Sequence, residues 1–356
     1  MEQTASPGRE KYHLVLAMAQ RQPAIITAVV HPCDAVSLSG ALEAHRLGLI
    51  QAILIAPEAR LRSLAASTGL DLSGIEIVAS EHSHDSAARA VALVRAGRAE
   101  ALMKGSLHTD ELMAAVVAKD TGLRTARRIS HCFIMDVPGH AAPLIITDAA
   151  VNIEPTLAEK ADIVQNAIDL AHAIGLDRPL VAILSATETV NPALRSTVEA
   201  AALCKMADRG QITGGVLDGP LAMDNAIDPA AAAIKHIVSP VAGHANVLVV
   251  PDLEAGNMLA KSLSFLAGAE SAGIVLGARV PIILTSRADT VVTRLASCAV
   301  AVLLVAWRRK MAAQAVAGVG PISDDSLPPV IPGLVPISAN ISGDGLSSPS
   351  SPGLYP

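Results

Sequence analysis

The residues with the clearest chemical potential lie in L-G-A-R-V-P-I-I-L-T-S-R-A-D-T-V-V-T-R-L-A-S-C, residues 276–298. Within it Ser286, Arg287 and Asp289 bring a hydroxyl, a guanidinium and a carboxylate close together in the chain. A guanidinium is a rigid fork of donors matched to phosphate. Asp289, three positions after Ser286, reaches the same side of a first helical turn, where it can act as a base or an orienting group. The apolar run 280–284 reads as a buried parallel strand. Thr285 or Ser286 then serves as a helix cap, with residues from Ala288 onward helical. Such a junction is where an open α/β sheet presents its ligand crevice, and unpaired N–H groups there favour an anion. On spacing alone a purely structural account stands beside this one: Ser286 as cap, Asp289 as a first-turn acid, Arg287 as a solvated charge.

A second junction with bunched polar groups is M-K-G-S-L-H-T-D at 103–110. Gly105 permits close backbone approach, and Lys104, Ser106, His108 and Thr109 can line a ligand. No Walker A spacing is present, and the alternative is a turn at Gly105 with Thr109 capping a helix. Arg124, Arg127 and Arg128 form a basic cluster suited to phosphate or to a solvated face. Asp148 and Asn152, in T-D-A-A-V-N-I-E-P, sit at an expected strand end. Asp218, residues 239–243 and the 251–257 loop with Asn257 offer further turns that suit a close ligand or plain chain reversal. The histidines His82, His84, His131, His140, His172, His236 and His244 show no metal-ligand spacing. G-x-S-x-G and a helix-opening G-x-G-x-x-G are both missing, which disfavours a hydrolase triad and a Rossmann dinucleotide site.

The elements that must position these residues alternate regularly. Strands are expected at 24–30, 52–56, 75–79 and 101–104, with helices at 35–47, 57–67, 84–95 and 110–118, then β-rich runs at 129–137 and 144–147. Further on, helices at 157–174, 196–207, 230–237 and 258–266 alternate with strands at 180–184, 215–217, 247–250, 273–276 and 280–284. Strict βα alternation implies a parallel sheet covered on both faces. The expected organisation is a first α/β domain over 10–150, completed by a C-terminal helix at 288–317, and a second over 151–287. Residues 318–356, rich in Pro, Ser and Gly, read as a disordered tail.

The 356 residues are 51% hydrophobic and 1% aromatic, so Ala, Val, Leu and Ile must fill the core. A net charge of -6 and few aromatics argue against nucleic-acid binding. The polar N-terminus does not read as a signal peptide. The apolar run 295–307, closed by Arg308, Arg309 and Lys310, reads as a buried helix with a basic end rather than an interfacial one. Cys33, Cys132, Cys204 and Cys298 are widely spaced and read as reduced thiols of a cytoplasmic protein, with no zinc site.

Taken together, K-G-S-L-H-T, T-D-A-A-V-N-I-E-P, D-G-P-L-A-M-D-N-A-I, S-P-V-A-G, P-D-L-E-A-G-N-M and T-S-R-A-D run in one order over about residues 20–310. In this the chain resembles the phosphate acetyltransferase and phosphate butyryltransferase family, and the transferase region of longer proteins that carry an enoyl-CoA hydratase domain. The resemblance implies two α/β domains with an interdomain cleft, similar to isocitrate and isopropylmalate dehydrogenases. It implies direct, reversible acyl transfer between coenzyme A and inorganic phosphate, by a homodimer without metal or bound cofactor. On it, Ser286 bonds the thioester region, and Arg287, Lys104, Ser106 and Arg128 hold phosphate. His108, Thr109, Asn152, Asp218 and Asn257 line the cleft. Acetyl-type members carry an Asp seven residues after the serine, where this chain has Thr293. Asp289, as in the butyryl-type T-S-R-A-D, therefore becomes the expected thiol base. The alternatives are an isocitrate-dehydrogenase-like NAD(P) oxidoreductase and a non-catalytic acyl-CoA-binding protein.

Overall fold

The computed structural model describes residues 10–286 and 289–318. Arg287 and the 319–356 segment, the expected phosphate ligand and nearly all of the expected tail, lie outside the described residues. In chain order the elements are α1 (Glu10–Gln20), β1 (Ile25–Val30), α2 (Ala35–Arg46), β2 (Ile50–Ala56), α3 (Glu58–Thr68), β3 (Glu76–Ala79), α4 (Ser83–Arg95), β4 (Ala101–Lys104) and α5 (Thr109–Val117). There follow β5 (Ser130–Asp136), β6 (Leu144–Thr147), α6 (Leu157–Ala173), β7 (Leu180–Leu184), α7 (Arg195–Asp208), β8 (Val216–Leu221), α8 (Met223–Ile227) and α9 (Pro229–Ile234). The chain continues with β9 (Val247–Val249), α10 (Leu253–Leu266), β10 (Glu270–Leu276), β11 (Ile282–Ile283) and α11 (Val291–Gly318).

Among the described residues all the strands join one sheet, in the order β3-β2-β1-β4-β11-β10-β5-β6-β9-β7-β8. Its two wings, β3-β2-β1-β4-β11 and β6-β9-β7-β8, are parallel. Between them, β10 runs antiparallel to both β11 and β5, and β5 runs antiparallel to β6. The sheet is thus mostly parallel, as expected, with antiparallel pairings confined to β5 and β10 and their neighbours. A buried strand is apolar whichever way it runs, so its pattern does not encode direction. Hydrogen bonding crosses residue 150, since β6 pairs with β9, and the sheet is continuous there.

Composition accounts for the elements. β1 and β2 are nearly unbroken apolar runs, as strands covered on both faces must be. Asp34 caps α2 by accepting from Ser37 N–H at 2.8 Å. Asp252 caps α10 by accepting from Ala255 N–H at 2.8 Å, and so starts that helix five residues before the expected 258. The short α8 and the opening α1 were not expected from the pattern.

On one face the sheet is covered by α2, α3, α6, α7 and α11, whose apolar residues share a single core. Over Leu295–Val305, α11 is almost entirely buried in it. This helix is long and apolar enough to cross a membrane, yet 67% of its apolar window is buried inside the protein. On the opposite face there are two separate cores. One lies under α4 and α5 and reaches Val275, Ile282 and Leu284. The other lies under α8, α9 and α10 and reaches Met135 and Phe133. The sheet between them is where a cleft opens.

Candidate active site

The floor of that cleft follows from strand register. Ile283 opposes Met103, which brings Leu284 level with Lys104. Leu284 N–H donates to Gly273 O at 3.3 Å, and Gly273 opposes Phe133. Lys104, Leu284, Gly273 and Phe133 therefore form a row across β4, the end of β11, β10 and β5, with His131 two residues along β5 on the same face. The walls come from α5 and α10. Lining residues include Lys104, His108, Thr109, His131, Asn257, Ser286 and Asp289.

Ser286 and Asp289 form a closed loop. Asp289 Oδ2 accepts from Ser286 N–H at 2.6 Å, and Asp289 N–H donates to Ser286 O at 3.2 Å. The expectation that Thr285 or Ser286 caps the following helix is corrected. Regular helix begins at Val291, and Thr290 Oγ1 takes the capping role, accepting from Thr293 N–H at 3.2 Å. Ser286 is thereby left exposed at the cleft instead of tied into a helix end. Burial raises the Asp289 carboxyl above the ordinary aspartate value, against the Ser286 N–H and the charges of Arg294 and Lys104, which lower it. A carboxylate so balanced is a better proton acceptor than an exposed one.

Lys104, 3% exposed at the end of β4, brings its ammonium into the same cleft. Gly105 follows it because a Cβ there would stand 2.4 Å from Val30 O. Ser106, expected to hold phosphate, donates to His31 O at 2.8 Å and accepts from Cys33 N–H at 3.2 Å. His108, not Thr109, occupies the N-cap position of α5, and both are exposed at the cleft wall. Asn257 on α10 donates to Ala149 O at 3.2 Å, fixing the wall to the turn after β6.

Ser106 is not among the lining residues, and three more expected residues lie elsewhere. Asn152 is buried, donating to Ile129 O at 2.9 Å and to the Asp148 carboxylate at 2.5 Å. That carboxylate also accepts from the N–H groups of Ala150, Val151 and Asn152, so it organises the turn. Arg128 lines a separate surface hollow, with Nε on Asn152 Oδ1 at 2.6 Å and Nη1 on Glu159 at 2.8 Å. Asp218 sits on β8, at the far edge of the sheet, where it accepts from Gly219 N–H at 2.8 Å.

Two further residues stand at the site without any motif to mark them. Arg294, 1% exposed, donates to Thr285 Oγ1 at 2.7 Å and to Ser286 O at 3.1 Å. Its position eight residues after Ser286, one turn into the helix, was the available signal. His131 carries no such signal, because a histidine in a strand has no spacing signature. Among the described residues no group of three or more His, Cys, Asp or Glu side chains is placed to hold a metal ion. All four cysteines are free, and burial raises the thiols of Cys132, Cys204 and Cys298 to about 12.

The phosphate acetyl/butaryl transferase family model matches residues 79–302. A phosphate acetyltransferase of Rhizobium meliloti is 67% identical over 299 residues, covering 84% of this chain and 95% of the relative. Among solved structures, a branched-chain phosphotransacylase from Enterococcus faecalis is 30% identical with a TM-score of 0.69, covering 79% of this chain and 99% of the other. A 4-hydroxythreonine-4-phosphate dehydrogenase from Klebsiella pneumoniae, at 12% identity and TM-score 0.51, covers 79% of this chain and 99% of its own; it shares the fold alone. The cleft motifs from Lys104 to Ser286 all fall within the matched span, and the chain belongs to the phosphate acetyl/butaryl transferase family.

Proposed function

We propose that the chain catalyses reversible transfer of a short acyl group between coenzyme A and inorganic phosphate, acyl-CoA plus phosphate giving acyl phosphate plus CoA. The observation that carries this reading is one cleft holding the Lys104 ammonium, the Ser286 hydroxyl and the Asp289 carboxyl together. Phosphate attacks a thioester poorly unless it is fixed and aligned, so most of the acceleration must come from positioning. Lys104 supplies positive charge for the phosphate, and Arg287, next to Ser286 in the chain, is assigned the same task. The Ser286 hydroxyl donates to the thioester oxygen as charge develops on it. In the reverse direction Asp289 takes the proton from the CoA thiol, and its raised pKa suits that work. The raised thiols, none of which lines the cleft, favour direct transfer over an acyl-cysteine intermediate.

The same reading has the protein acting in the cytoplasm as a homodimer, without metal or bound cofactor. Met258, Phe265 and Leu266 on α10, respectively 62%, 84% and 86% exposed, support a subunit contact. The test is purified protein with acetyl- or butyryl-CoA. Phosphate-dependent release of free thiol is expected with at least one of them, and no release with either rejects the reading. Relative catalytic efficiency on acetyl-, propionyl- and butyryl-CoA then fixes the acyl preference, where one methylene is worth about 1–3 kcal/mol.

A further inference from the structure

Buried at the floor of the cleft is a titratable group to which the roles above give no task. His131 is 1% exposed and yet lines the cleft with Ser286 and Asp289. Its ring stands edge-on to Phe133, centroids 4.4 Å apart. Nδ1 is fully enclosed and, among the described residues, has no hydrogen-bond partner. Nε2 leans over Gly273, only 3.1 Å from where a Cβ would be, so the missing side chain of Gly273 is what makes room for it. Gly273 is itself pinned, its N–H donating to Ser297 Oγ on α11 at 3.0 Å. The enclosed Nδ1 is out of reach of a ligand, so the nitrogen that a ligand in the cleft can complete is Nε2.

We infer that His131 is a catalytic residue of this cleft, its Nε2–H donating to the acyl oxygen of the bound thioester alongside the Ser286 hydroxyl. The inference rests on the acyl-transfer reading given above. Its chemistry follows from three features. Burial drives the imidazole pKa down to about 3, so the ring is neutral at working pH and carries one hydrogen. A neutral imidazole polarises a carbonyl without giving up its proton, so no acid–base step is involved. With Nδ1 sealed away from the cleft, the hydrogen is useful only on Nε2. The partner is thus a carbonyl that becomes an oxyanion when phosphate adds, and the hydrogen bond strengthens as charge grows there. The edge of Phe133 beside the ring leaves an apolar margin for the alkyl chain of a short acyl group.

Glutamine places an amide N–H near the position of imidazole Nε2, whereas asparagine places one near Nδ1, and phenylalanine keeps the ring without any donor. His131→Phe and His131→Asn are expected to lower kcat by about 100-fold, the typical loss of one oxyanion donor. KM for acyl-CoA and for phosphate should stay within about threefold. His131→Gln should recover at least about tenfold of that loss. Independently, the 13C resonance of a carbonyl-labelled acyl-CoA bound without phosphate should lie downfield in wild type and His131→Gln and return toward the free value in the other two. This second measurement needs no turnover, so it reads His131 even if the acyl-transfer reading fails on thiol release. Equal kcat in all four proteins, or equal losses in Gln, Asn and Phe variants with an unchanged carbonyl resonance, overturns the inference.

Discussion

Arg294 reaches back eight residues to donate from Nη2 to the carbonyl of Ser286 at 3.1 Å, while its Nη1 holds the Thr285 hydroxyl at 2.7 Å. The segment carrying the reactive serine is therefore braced from within α11 by a buried guanidinium. Gly40 on α2 leaves the space for it, because a Cβ there would stand 2.8 Å from Arg294 Cδ. Burial lowers the guanidinium pKa, and the charges of Asp34 and Asp289 oppose that shift.

This bracing predicts different outcomes for two replacements. Lysine keeps the charge but has no fork to hold two acceptors. Arg294→Lys should lower kcat by about tenfold, with little change in the pH profile. Arg294→Met removes in addition a charge that holds the Asp289 pKa down. Its acid limb should therefore move to higher pH. Superimposable pH profiles for the two variants would remove Arg294 from the electrostatics of the site.

Asp289→Asn tests the base. The amide oxygen can still accept from Ser286 N–H, so the loop is kept while proton transfer is lost. Turnover toward acyl-CoA should fall by about 100-fold or more, and Thr293→Ala should change it by less than about threefold. In wild type, activity should fall as pH drops through a value above that of an ordinary aspartate, because the folded pKa is raised. For stability the sign is the reverse of a salt-bridged acid. The native state binds more protons than the unfolded chain in that window, so stability falls as pH rises through it. Asp289→Asn should accordingly melt at or above the wild-type temperature at pH 7, and the advantage should vanish in acid below the usual carboxylate range. A variant that melts lower at pH 7 with full activity would show that Asp289 is a structural clasp.

How far this site could be read from the chain depends on the kind of signal. The β4 and β11 junctions were legible because Lys104 and Thr285 each end a short apolar run, and the two runs are parallel neighbours. Asn152 carries the same strand-end signature and Arg128 belongs to a basic cluster, yet their side chains bond one another and the Asp148 turn. A polar residue that builds a turn and one that awaits a ligand look alike until the partners are seen. The start of α11 is ambiguous in the chain because Ser286 and Thr290 are both good caps, and only the Asp289 clasp separates them. Arg294 and His131 owe their positions to packing between elements distant in sequence, which periodicity does not record.

Away from the cleft, Lys160 and Glu199 pair at 2.6 Å with side chains 6% and 11% exposed, tying α6 to α7. Burial raises the Glu199 carboxyl, but the bonds from Lys160 and Arg195 outweigh it and leave the pKa lowered. Glu199→Gln strands a buried ammonium and should lower stability by about 3 kcal/mol in urea titration. Arg195→Ala, which removes the half-exposed partner, should cost less than about 1 kcal/mol. Equal losses would mean that burial does not set the strength of this pair.

Gly273→Ala probes the cleft floor itself. The added Cβ would stand 2.5 Å from Leu284 O and 3.1 Å from His131 Nε2. The first contact is with backbone, which cannot swing aside, and Leu284 is joined through Thr285 to Ser286. Relief requires β10 and the end of β11 to part, or the imidazole to leave its place beside Phe133. The expected loss is about 1–3 kcal/mol of stability, as for overpacking elsewhere. Because either movement displaces the serine or the histidine, kcat should fall by at least about tenfold at temperatures where the variant is still fully folded. A Gly273→Ala protein with wild-type urea midpoint and wild-type kcat would show that the floor yields freely, and that the row from Lys104 to Phe133 does not position the reaction.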